Sequence, residues 1–320
     1  LAALRKRTGQ SEKDKIRFVE LSKYSKAYVR MAPIGSPKIA VIYAYGDIVS
    51  GKGSDDEIGS ERIAEALSKA GKDSSIKAIV FRVNSPGGSA LASDVILREV
   101  KLAKAKKPFI VSMGDYAASG GYYISAPCRW IVAHELTITG SIGVIFHGYN
   151  YRGLMDKLGV RPTITKSGKL KDMWSPDKLP EEELPEEKAI MKEMVEESFN
   201  RFKKVIREGR AWSAAASKDW MGQEGAKAEE SDAGRALGED WESVADGRVM
   251  SGTRALEYGF VDELGDFRAA VKRAERIADA RDATLISYDP PSRFPGFLRL
   301  LGQSNVKSVK LDLGELAGVT

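Results

Sequence analysis

The sequence predicts an α/β protein built around a parallel β-sheet. Two continuous apolar runs, residues 39–44 and 78–83, are typical of strands that are buried on both faces. Segments with helical periodicity separate these runs from each other and from the next strand-like run. Strands that alternate with helices form parallel sheets with right-handed crossovers, so the pattern indicates this fold class. The 320 residues suffice for one large domain or two small ones.

Six elements follow one another in the first half of the chain, each with its own signal. Apolar runs mark the strands, and Ser60 stands where a capping residue would begin the first helix. A Pro-Gly-Gly turn separates the second strand from the second helix. In chain order, the predicted elements are strand 39–44, helix 60–70, strand 78–83, helix 90–105, strand 109–113 and strand 130–133.

The second half of the sequence predicts one long helix and a late strand. Residues 181–209 have helical periodicity, with Pro180 and Pro185 at the beginning and Gly209 at the end. Three apolar side chains at helical spacing form its predicted packing face, namely Phe199, Phe202 and Ile206. Residues 284–288 form a strand-like run, after which the sequence becomes a tail.

Composition limits the classes of function. Hydrophobic residues make up 42% and charged residues 30%, as is usual for globular proteins. The 50 basic and 45 acidic residues are well mixed, which argues against nucleic acid binding, whereas the net charge of +5 suits an anionic membrane surface. A single cysteine, Cys128, excludes an intramolecular disulfide and a cysteine-based metal cluster. The sequence contains no run of about 18 apolar residues that would span a bilayer.

Ser119 is the candidate nucleophile. It follows two alanines and precedes two glycines in the segment 114–123. A serine hydroxyl attacks efficiently only when a base takes its proton. The two histidines, His134 and His147, are candidates for this base, and a lysine whose pKa is lowered by burial is another. A Ser–Lys hydrolase is the hypothesis that we weigh first.

Five segments carry further motifs in a fixed order. They are 82–94 with a Pro-Gly-Gly turn, 114–123 around Ser119, 136–144 with Thr-Gly-Ser-Ile-Gly, 167–176 with Lys-Asp-Met-Trp-Ser-Pro, and more weakly 245–262. Together they resemble the signal peptide peptidase A family of membrane-bound Ser–Lys proteases. The resemblance extends over roughly residues 38–278. No internal repeat is apparent, so the chain is similar to the single-copy short form of that family.

The resemblance implies a fold and a division of the chain. The implied fold is a crotonase-like (Clp protease-like) β-β-α spiral with an added helical C-terminal region. Residues 1–36 are expected to be an N-terminal arm or linker, 37–283 the Ser–Lys peptidase domain, and 284–320 a C-terminal tail. Within the peptidase domain, residues 211–244 are expected to be a variable insertion. Family members carry an N-terminal membrane anchor, which we expect to be missing from this sequence.

The same resemblance implies the catalytic pair. Ser119 is expected to be the nucleophile and Lys171 the general base. Lys171 is preferred to Lys166 and Lys169 because the family's catalytic lysine directly precedes an aspartate. Ser141 is expected to hydrogen-bond the lysine amine and orient it.

Glycines are expected to surround the nucleophile. Gly88 and Gly120 are the predicted oxyanion hole, because a tetrahedral intermediate needs two N–H donors close to its oxygen. Glycine also permits close backbone approach and unusual φ angles. The expected substrate-binding residues are Gly87, Gly140, Ile142 and Gly143.

The implied function is that of a serine endopeptidase. It would degrade cleaved signal peptides and other unfolded membrane-associated peptides, without a cofactor or a metal. The implied partners are peptide substrates, other copies of the chain in a ring, and a membrane surface on the extracytoplasmic face, but not nucleic acid. Two alternatives stay open, a crotonase-like acyl-CoA enzyme and a non-catalytic scaffold of the same fold. The sequence also leaves open whether Ser119 and Lys171 pair within one subunit or between neighbours.

Overall fold

A β-sheet lies at the centre of the computed structural model, which describes residues 35–215 and 233–289. The strands are β1 (Lys38–Tyr45), β2 (Asp47–Val49), β3 (Glu57–Gly59), β4 (Ile76–Ser85), β5 (Phe109–Ala118), β6 (Trp130–Ala133), β7 (Ile138–Gly140), β8 (Val249–Ser251), β9 (Glu263–Leu264) and β10 (Thr284–Asp289). The helices are α1 (Ser60–Lys72), α2 (Ala90–Lys104), α3 (Gly120–Ser125), α4 (Arg152–Lys157), α5 (Pro185–Ala215), α6 (Gly252–Glu257) and α7 (Phe267–Ile277).

The main sheet is parallel along its whole path. Its strand order is β10-β1-β4-β5-β6-β9. β6 pairs with residues 110–112 of β5, and β7 pairs with the last residues of β5, 116–118. β8 pairs antiparallel with β7, while β2 and β3 form a separate two-stranded parallel sheet. This arrangement confirms the predicted α/β fold class, and the carboxyl end of β5 carries the candidate nucleophile.

Both faces of the main sheet are covered. Alternate side chains of β1 and β4, such as Ile42 and Phe81, join one core cluster, and their neighbours Val41 and Val80 join another. The first cluster packs against α1, α2 and α3, and the second against α7. Burial of both faces explains why these strands read as continuous apolar runs rather than as an alternating pattern.

The six elements predicted for the first half are present. The strands at 78–83 and 109–113 are longer than predicted, because polar residues extend β4 to Ser85 and β5 to Ala118. The capping role predicted for Ser60 is wrong, since Gly59 is the N-cap of α1 and no side chain caps it. A Cβ on Gly59 would lie 1.8 Å from the Lys52 carbonyl oxygen. The backbone approaches so closely here that the position requires a glycine.

The long helix differs from its prediction at both ends. Residues 180–182 form a separate 3₁₀ turn, and α5 begins at Pro185. The helix continues past Gly209, because that glycine serves close packing and not helix termination. A Cβ on Gly209 would lie 2.7 Å from the Ala126 carbonyl oxygen. The predicted packing face is confirmed, since Phe202 and Ile206 are buried and Phe199 packs against the core.

The C-terminal part of the described chain mixes helices with strands. Residues 284–289, which the sequence analysis assigned to the tail, form β10 beside β1 in the main sheet. The predicted strand is therefore confirmed, whereas the added helical C-terminal region is not. Residues 1–34, 216–232 and 290–320, which include most of the predicted arm and tail, lie outside the described residues.

None of the helices within 35–215 and 233–289 is both long enough and apolar enough to cross a membrane.

Candidate active site

Ser119 occupies the turn between β5 and α3. Its backbone has φ 51° and ψ −121°, a conformation that non-glycine residues seldom adopt. The Ser119 carbonyl accepts a hydrogen bond from the Tyr123 amide at 2.9 Å, and this bond closes the first turn of the helix. Ser119 is half-buried, whereas the residues from Gly120 to Trp130 are buried. Backbone strain of this kind is often found at functional sites, where the surrounding structure holds it in place.

The backbone of Gly87 lies directly against Ser119. A Cβ on Gly87 would be 2.8 Å from the Ser119 Cβ and 2.9 Å from the Gly120 amide nitrogen. Gly87 and Gly88 have φ angles of 115° and 145°, so both need the freedom of glycine. A Cβ on Gly88 would lie 2.3 Å from the Ile48 carbonyl oxygen. The glycine pair is therefore required by its contacts with the nucleophile turn and with β2.

Two backbone N–H groups of this cluster, those of Gly88 and Gly120, make no hydrogen bond to any residue that the structure describes. In the bridge to β2, the Ile48 amide donates to Gly87 at 2.8 Å, and the Ser89 amide donates to Ile48 at 2.8 Å. Successive groups along an extended chain point to opposite sides, so the Gly88 N–H faces away from Ile48. Gly120 is the first residue of α3, and its N–H therefore has no acceptor within the helix.

The segment 140–143 lies on the other side of Ser119. Gly140 pairs with Ala118 in the sheet, and its carbonyl accepts a hydrogen bond from the Ser119 amide at 2.9 Å. Ser141 has φ 49°, and its amide donates to the Arg248 carbonyl at 2.7 Å. The loop that precedes β8 thus holds Ser141 next to the nucleophile turn.

The two remaining substrate-binding candidates are placed differently. The Ile142 side chain is fully buried in the core, and its carbonyl accepts a hydrogen bond from the Gly247 amide at 3.0 Å. Only the N–H of Ile142 is therefore left to face a substrate. Gly143 packs closely on the same loop, because a Cβ there would lie 3.1 Å from the Gly247 Cα.

Lys171 lies in an exposed loop and is not joined to the Ser119 cluster. Its amide donates to the Gly168 carbonyl at 3.1 Å, within a turn. Within the described ranges, the Lys171 amine makes no hydrogen bond and no ion pair, and the Ser119 hydroxyl makes no hydrogen bond. One copy of the chain thus brings together Ser119, the glycines and Ser141, but does not bring Lys171 to them.

The rival lysines of this loop are bound to carboxylates. The Lys166 amine donates to both carboxylate oxygens of Asp172 at 2.9 Å, and the Lys169 amine donates to Glu186 at 2.8 Å. The bond from Lys166 lowers the pKa of the Asp172 carboxyl. A carboxylate partner favours the charged form of an amine, which makes a lysine a poorer base. Lys171 differs from both rivals because it has no such partner.

His134 is distant from the nucleophile along the sheet. Val132 pairs with Ser112, so His134 lies level with Gly114, five residues before Ser119. β5 is irregular over this stretch, because Val83 and Ser85 of β4 pair with Met113 and Ala117, and this stretch separates His134 from the nucleophile turn. The His134 imidazole accepts a hydrogen bond from the Leu136 amide at 3.3 Å. His147 is exposed and packs edge-on against Tyr149, at 6.3 Å between ring centroids.

Two further serines support the turn and were not singled out from the sequence. The Ser85 hydroxyl accepts a hydrogen bond from the Gly87 amide at 3.1 Å and is buried. The Ser93 hydroxyl donates to the Ser89 carbonyl at 2.9 Å, and a Cβ on Gly120 would lie 2.6 Å from it. Both lie in the segment 82–94, so their position in that motif could have identified them from the sequence. The Ser85 hydroxyl holds the Gly87 amide, and the Ser93 hydroxyl lies so close to Gly120 that a side chain there would not fit.

The described residues contain no group of three or more histidine, cysteine, aspartate or glutamate side chains that could hold a metal ion.

Comparison with known proteins finds relatives that are named as proteases. The family model described as peptidase family S49 matches residues 101–233. A putative protease of Methanocaldococcus jannaschii is 33% identical over 260 residues, which cover 79% of this chain and 75% of that protein. A putative signal peptide peptidase SppA of Enterococcus faecium is 36% identical over 236 residues, which cover 73% of this chain and 61% of that protein.

A third relative is longer. Protease 4 of Haemophilus influenzae is 34% identical over 252 residues, which cover 78% of this chain but only 36% of that protein. The chain therefore spans between about a third and three fifths of the length of these two bacterial relatives. All three relatives are named as proteases or peptidases. The chain belongs to peptidase family S49, the signal peptide peptidase A family.

Two solved structures are also similar. Both are variants of a membrane-bound stomatin-specific protease, and the second is in complex with a substrate peptide. The first aligns with a TM-score of 0.42 and 16% identity, covering 80% of this chain and all of that chain. The second aligns with a TM-score of 0.42 and 18% identity, covering 76% of this chain and 81% of that chain.

Proposed function

We propose that this chain is a Ser–Lys endopeptidase in which Ser119 is the nucleophile and Lys171 the general base. The observation that carries the proposal is the strained Ser119 turn, held 2.8 Å from the position of a Gly87 Cβ. Beside it lie the free N–H groups of Gly88 and Gly120. The distance of His134 from this turn and the carboxylate partners of the rival lysines favour Lys171 as the base.

The proposed reaction proceeds through an acyl-enzyme. Neutral Lys171 takes the proton of the Ser119 hydroxyl while the oxygen attacks the peptide carbonyl. The N–H groups of Gly88 and Gly120 donate to the oxyanion that forms. The C–N bond then breaks, and the lysine ammonium gives its proton to the leaving amine. Water, deprotonated by the same lysine, attacks the ester and releases the new carboxyl terminus.

We propose that neighbouring subunits complete the site. Lys171 belongs to a segment with large exposed apolar side chains, and such patches mark interaction surfaces. Six of them are Ile145, Phe146, Tyr149, Leu154, Leu158 and Val160. In a homo-oligomeric ring, this segment would cover its apolar surface and deliver Lys171 to the Ser119 of a neighbour. Ser141 would then accept or donate a hydrogen bond at the incoming amine.

The proposed substrates are cleaved signal peptides and other unfolded membrane-associated peptides. An extended peptide would run beside the nucleophile and pair with the backbone of Ile142 and Gly143, as peptides do when they add to a strand. Gly140, which is paired with Ala118 and Val249 in the sheet, would line the cleft. Glycine and isoleucine leave no charge for recognising an acidic or basic residue. We assign the catalysis to a peptidase domain at 37–283, associated with a membrane surface on its extracytoplasmic face.

A fluorophosphonate probe tests the proposal against an acyl-CoA enzyme and a non-catalytic scaffold. The probe reacts with an activated serine, so we expect mass spectrometry to find it on Ser119 of the full chain. The Ser119→Ala variant should take up no label, whereas Ser54→Ala, which changes an exposed serine elsewhere, should react like the wild type. Absence of label from the assembled wild-type protein would contradict the proposal.

A further inference from the structure

A buried ion pair lies beneath the loop that carries Lys171. The Lys178 amine donates to the Glu187 carboxylate at 2.6 Å. Only 7% of Lys178 and 2% of Glu187 are exposed, whereas most of the loop around Lys178 is half-buried and about half of the residues of α5 are exposed. Burying two charges is costly, and the attraction between them often fails to offset that cost. Such a pair is weak evidence for stability, so its place beside the proposed base calls for another explanation.

The pair is linked to the loop through Asp172. The Lys178 amine lies 3.8 Å from the Asp172 carboxylate, which also accepts two hydrogen bonds from Lys166. The four side chains therefore alternate in charge, in the order Glu187, Lys178, Asp172 and Lys166. The Glu187 carboxylate raises the pKa of the Lys178 amine, so this amine stays charged. Lys171 directly precedes Asp172 in the chain, so a change in these charges alters the electrostatic potential of the loop that carries it.

The backbone fixes the same loop in a series of turns. The amides of Lys171, Met173 and Ser175 donate to carbonyls three residues earlier, at 3.1, 3.0 and 3.1 Å. The Lys178 amide does the same at 3.2 Å, so the turns lead from the proposed base to the buried pair. The charged side chains of the loop and of the residues packed against it include Arg152, Lys166, Lys169, Asp172, Asp177, Lys178, Glu182, Glu186 and Glu187.

We infer that Lys178 and Glu187 are positioning residues for the proposed base, which hold its loop and set the charge that its amine experiences. This inference rests on the proposed role of Lys171. Lys178 neutralises Asp172, whose negative charge would otherwise favour the protonated lysine. Glu187 limits the opposite effect, because an unpaired Lys178 would add a positive charge beside the base.

The two halves of the pair should move the pH profile in opposite directions. Lys178→Met removes a positive charge, so Lys171 holds its proton more tightly and the rise of kcat/KM moves to higher pH. Glu187→Gln removes a negative charge, so the rise moves to lower pH. Because water in a partly hydrated site weakens the interaction between charges, each shift should be on the order of half a pH unit.

The experiment measures kcat/KM against pH for the full assembled chain with an unfolded peptide substrate. The double variant Lys178→Met/Glu187→Gln restores the net charge and should return the profile to that of the wild type. Lys192→Met and Glu196→Gln are the matched controls, because they break an exposed ion pair on the same helix. Neither control should shift the profile.

The outcomes separate this inference from the proposed function. Single variants that lose activity without moving the profile would overturn the inference, since a merely structural role predicts that result. If Lys178→Met does not fold, the inference is tested with Lys178→Arg and Glu187→Gln instead. Lys178→Arg keeps the positive charge and should leave the pH profile unchanged, whereas Glu187→Gln should shift it. Full activity of Lys171→Ala would instead overturn the proposed function, whatever the profiles of the other variants.

Discussion

At the scale of the residue, the nucleophile turn depends on the absence of side chains at its glycines as well as on the Ser119 hydroxyl. Gly87 and Gly120 approach Ser119 through backbone atoms, and any side chain there would enter the space of the turn. The strained φ of Ser119 persists because β5, β7 and the glycine pair hold both sides of it. The proposed chemistry therefore rests on backbone geometry and on one hydroxyl.

A substitution at Gly87 tests that geometry. Gly87→Ala should reduce kcat by at least about a hundredfold, because its Cβ displaces the Ser119 side chain from the oxyanion donors. Gly71→Ala is the matched control, since a Cβ there would meet Ala103 at 3.6 Å, an ordinary van der Waals contact, and it should keep wild-type activity. Circular dichroism would verify that both variants fold. A folded Gly87→Ala variant with full activity would contradict the proposed arrangement.

The choice among the loop lysines gives a second prediction. Lys171→Ala should lose at least about a hundredfold in kcat, because general base catalysis contributes on that order. Lys169→Ala removes a neighbouring lysine that pairs with Glu186, and it should remain active. The activity of the wild type should rise with pH, since a lysine works as a base only when it is neutral. Inactivity of Lys169→Ala with an active Lys171→Ala would move the assignment by two residues.

At the scale of the element, β10 shows how the end of the described chain is fixed to the sheet. It pairs with β1, and the Tyr288 hydroxyl donates to the Asp73 carboxylate at 2.6 Å, just beyond the end of α1. The hydrogen bonds from Tyr288 and Ser75 lower the pKa of Asp73 to about 2. A contact between residues this far apart in sequence secures the edge strand of the sheet.

Removal of the Tyr288 hydroxyl should weaken this contact. Tyr288→Phe should lower the free energy of unfolding by about 1 kcal/mol at neutral pH. A carboxyl with a lowered pKa stabilises the fold above its unfolded value near 3.9, and this contribution is lost as the pH falls towards 2. The difference between wild type and variant should therefore shrink in acid, as urea unfolding at pH 7 and pH 3 would measure. A constant difference at both pH values would contradict the role of Asp73.

Patterns local in sequence predicted the elements well, and contacts distant in sequence explain the failures. Apolar runs were sufficient for the strands β1, β4 and β6, because both faces of the sheet are buried. Gly209 read as a helix end, yet it lies within α5 to admit the backbone of Ala126. Ser60 has the residue type of a helix cap, and the sequence predicted it as one. The sequence does not show that the backbone of Lys52 approaches Gly59, which is the actual N-cap.

The candidate site divides in the same way. The motifs predicted Ser119, the glycine pair and the segment 140–143, and the structure gathers them because the strand order of the sheet places β4, β5 and β7 side by side. Lys171 was predicted from its position in a motif. A motif gives no information on the distance between two side chains. The ion pair between Lys178 and Glu187 could not be foreseen, since its burial depends on how α5 packs against the loop.

At the scale of the whole molecule, the proposed mechanism needs more than one copy of the chain. The Ser119 cluster is built into the sheet, whereas Lys171 lies in an exposed segment with an unpartnered apolar surface among the described residues. Assembly into a closed ring would bury that surface and bring each lysine to a neighbour. Activity should therefore depend on the oligomer, and Leu158→Glu, on the exposed apolar segment, should dissociate the ring and abolish peptide cleavage.

Complementation between two inactive variants tests this arrangement most directly. Ser119→Ala and Lys171→Ala are each expected to be inactive alone, and they are mixed under conditions in which subunits exchange. If Ser119 and Lys171 meet across an interface, random assembly should restore about a quarter of the wild-type activity, because a site is intact when each neighbour supplies its native residue. No recovery in mixed rings, verified by mass spectrometry of the intact assembly, would contradict a Ser–Lys site that is shared between subunits.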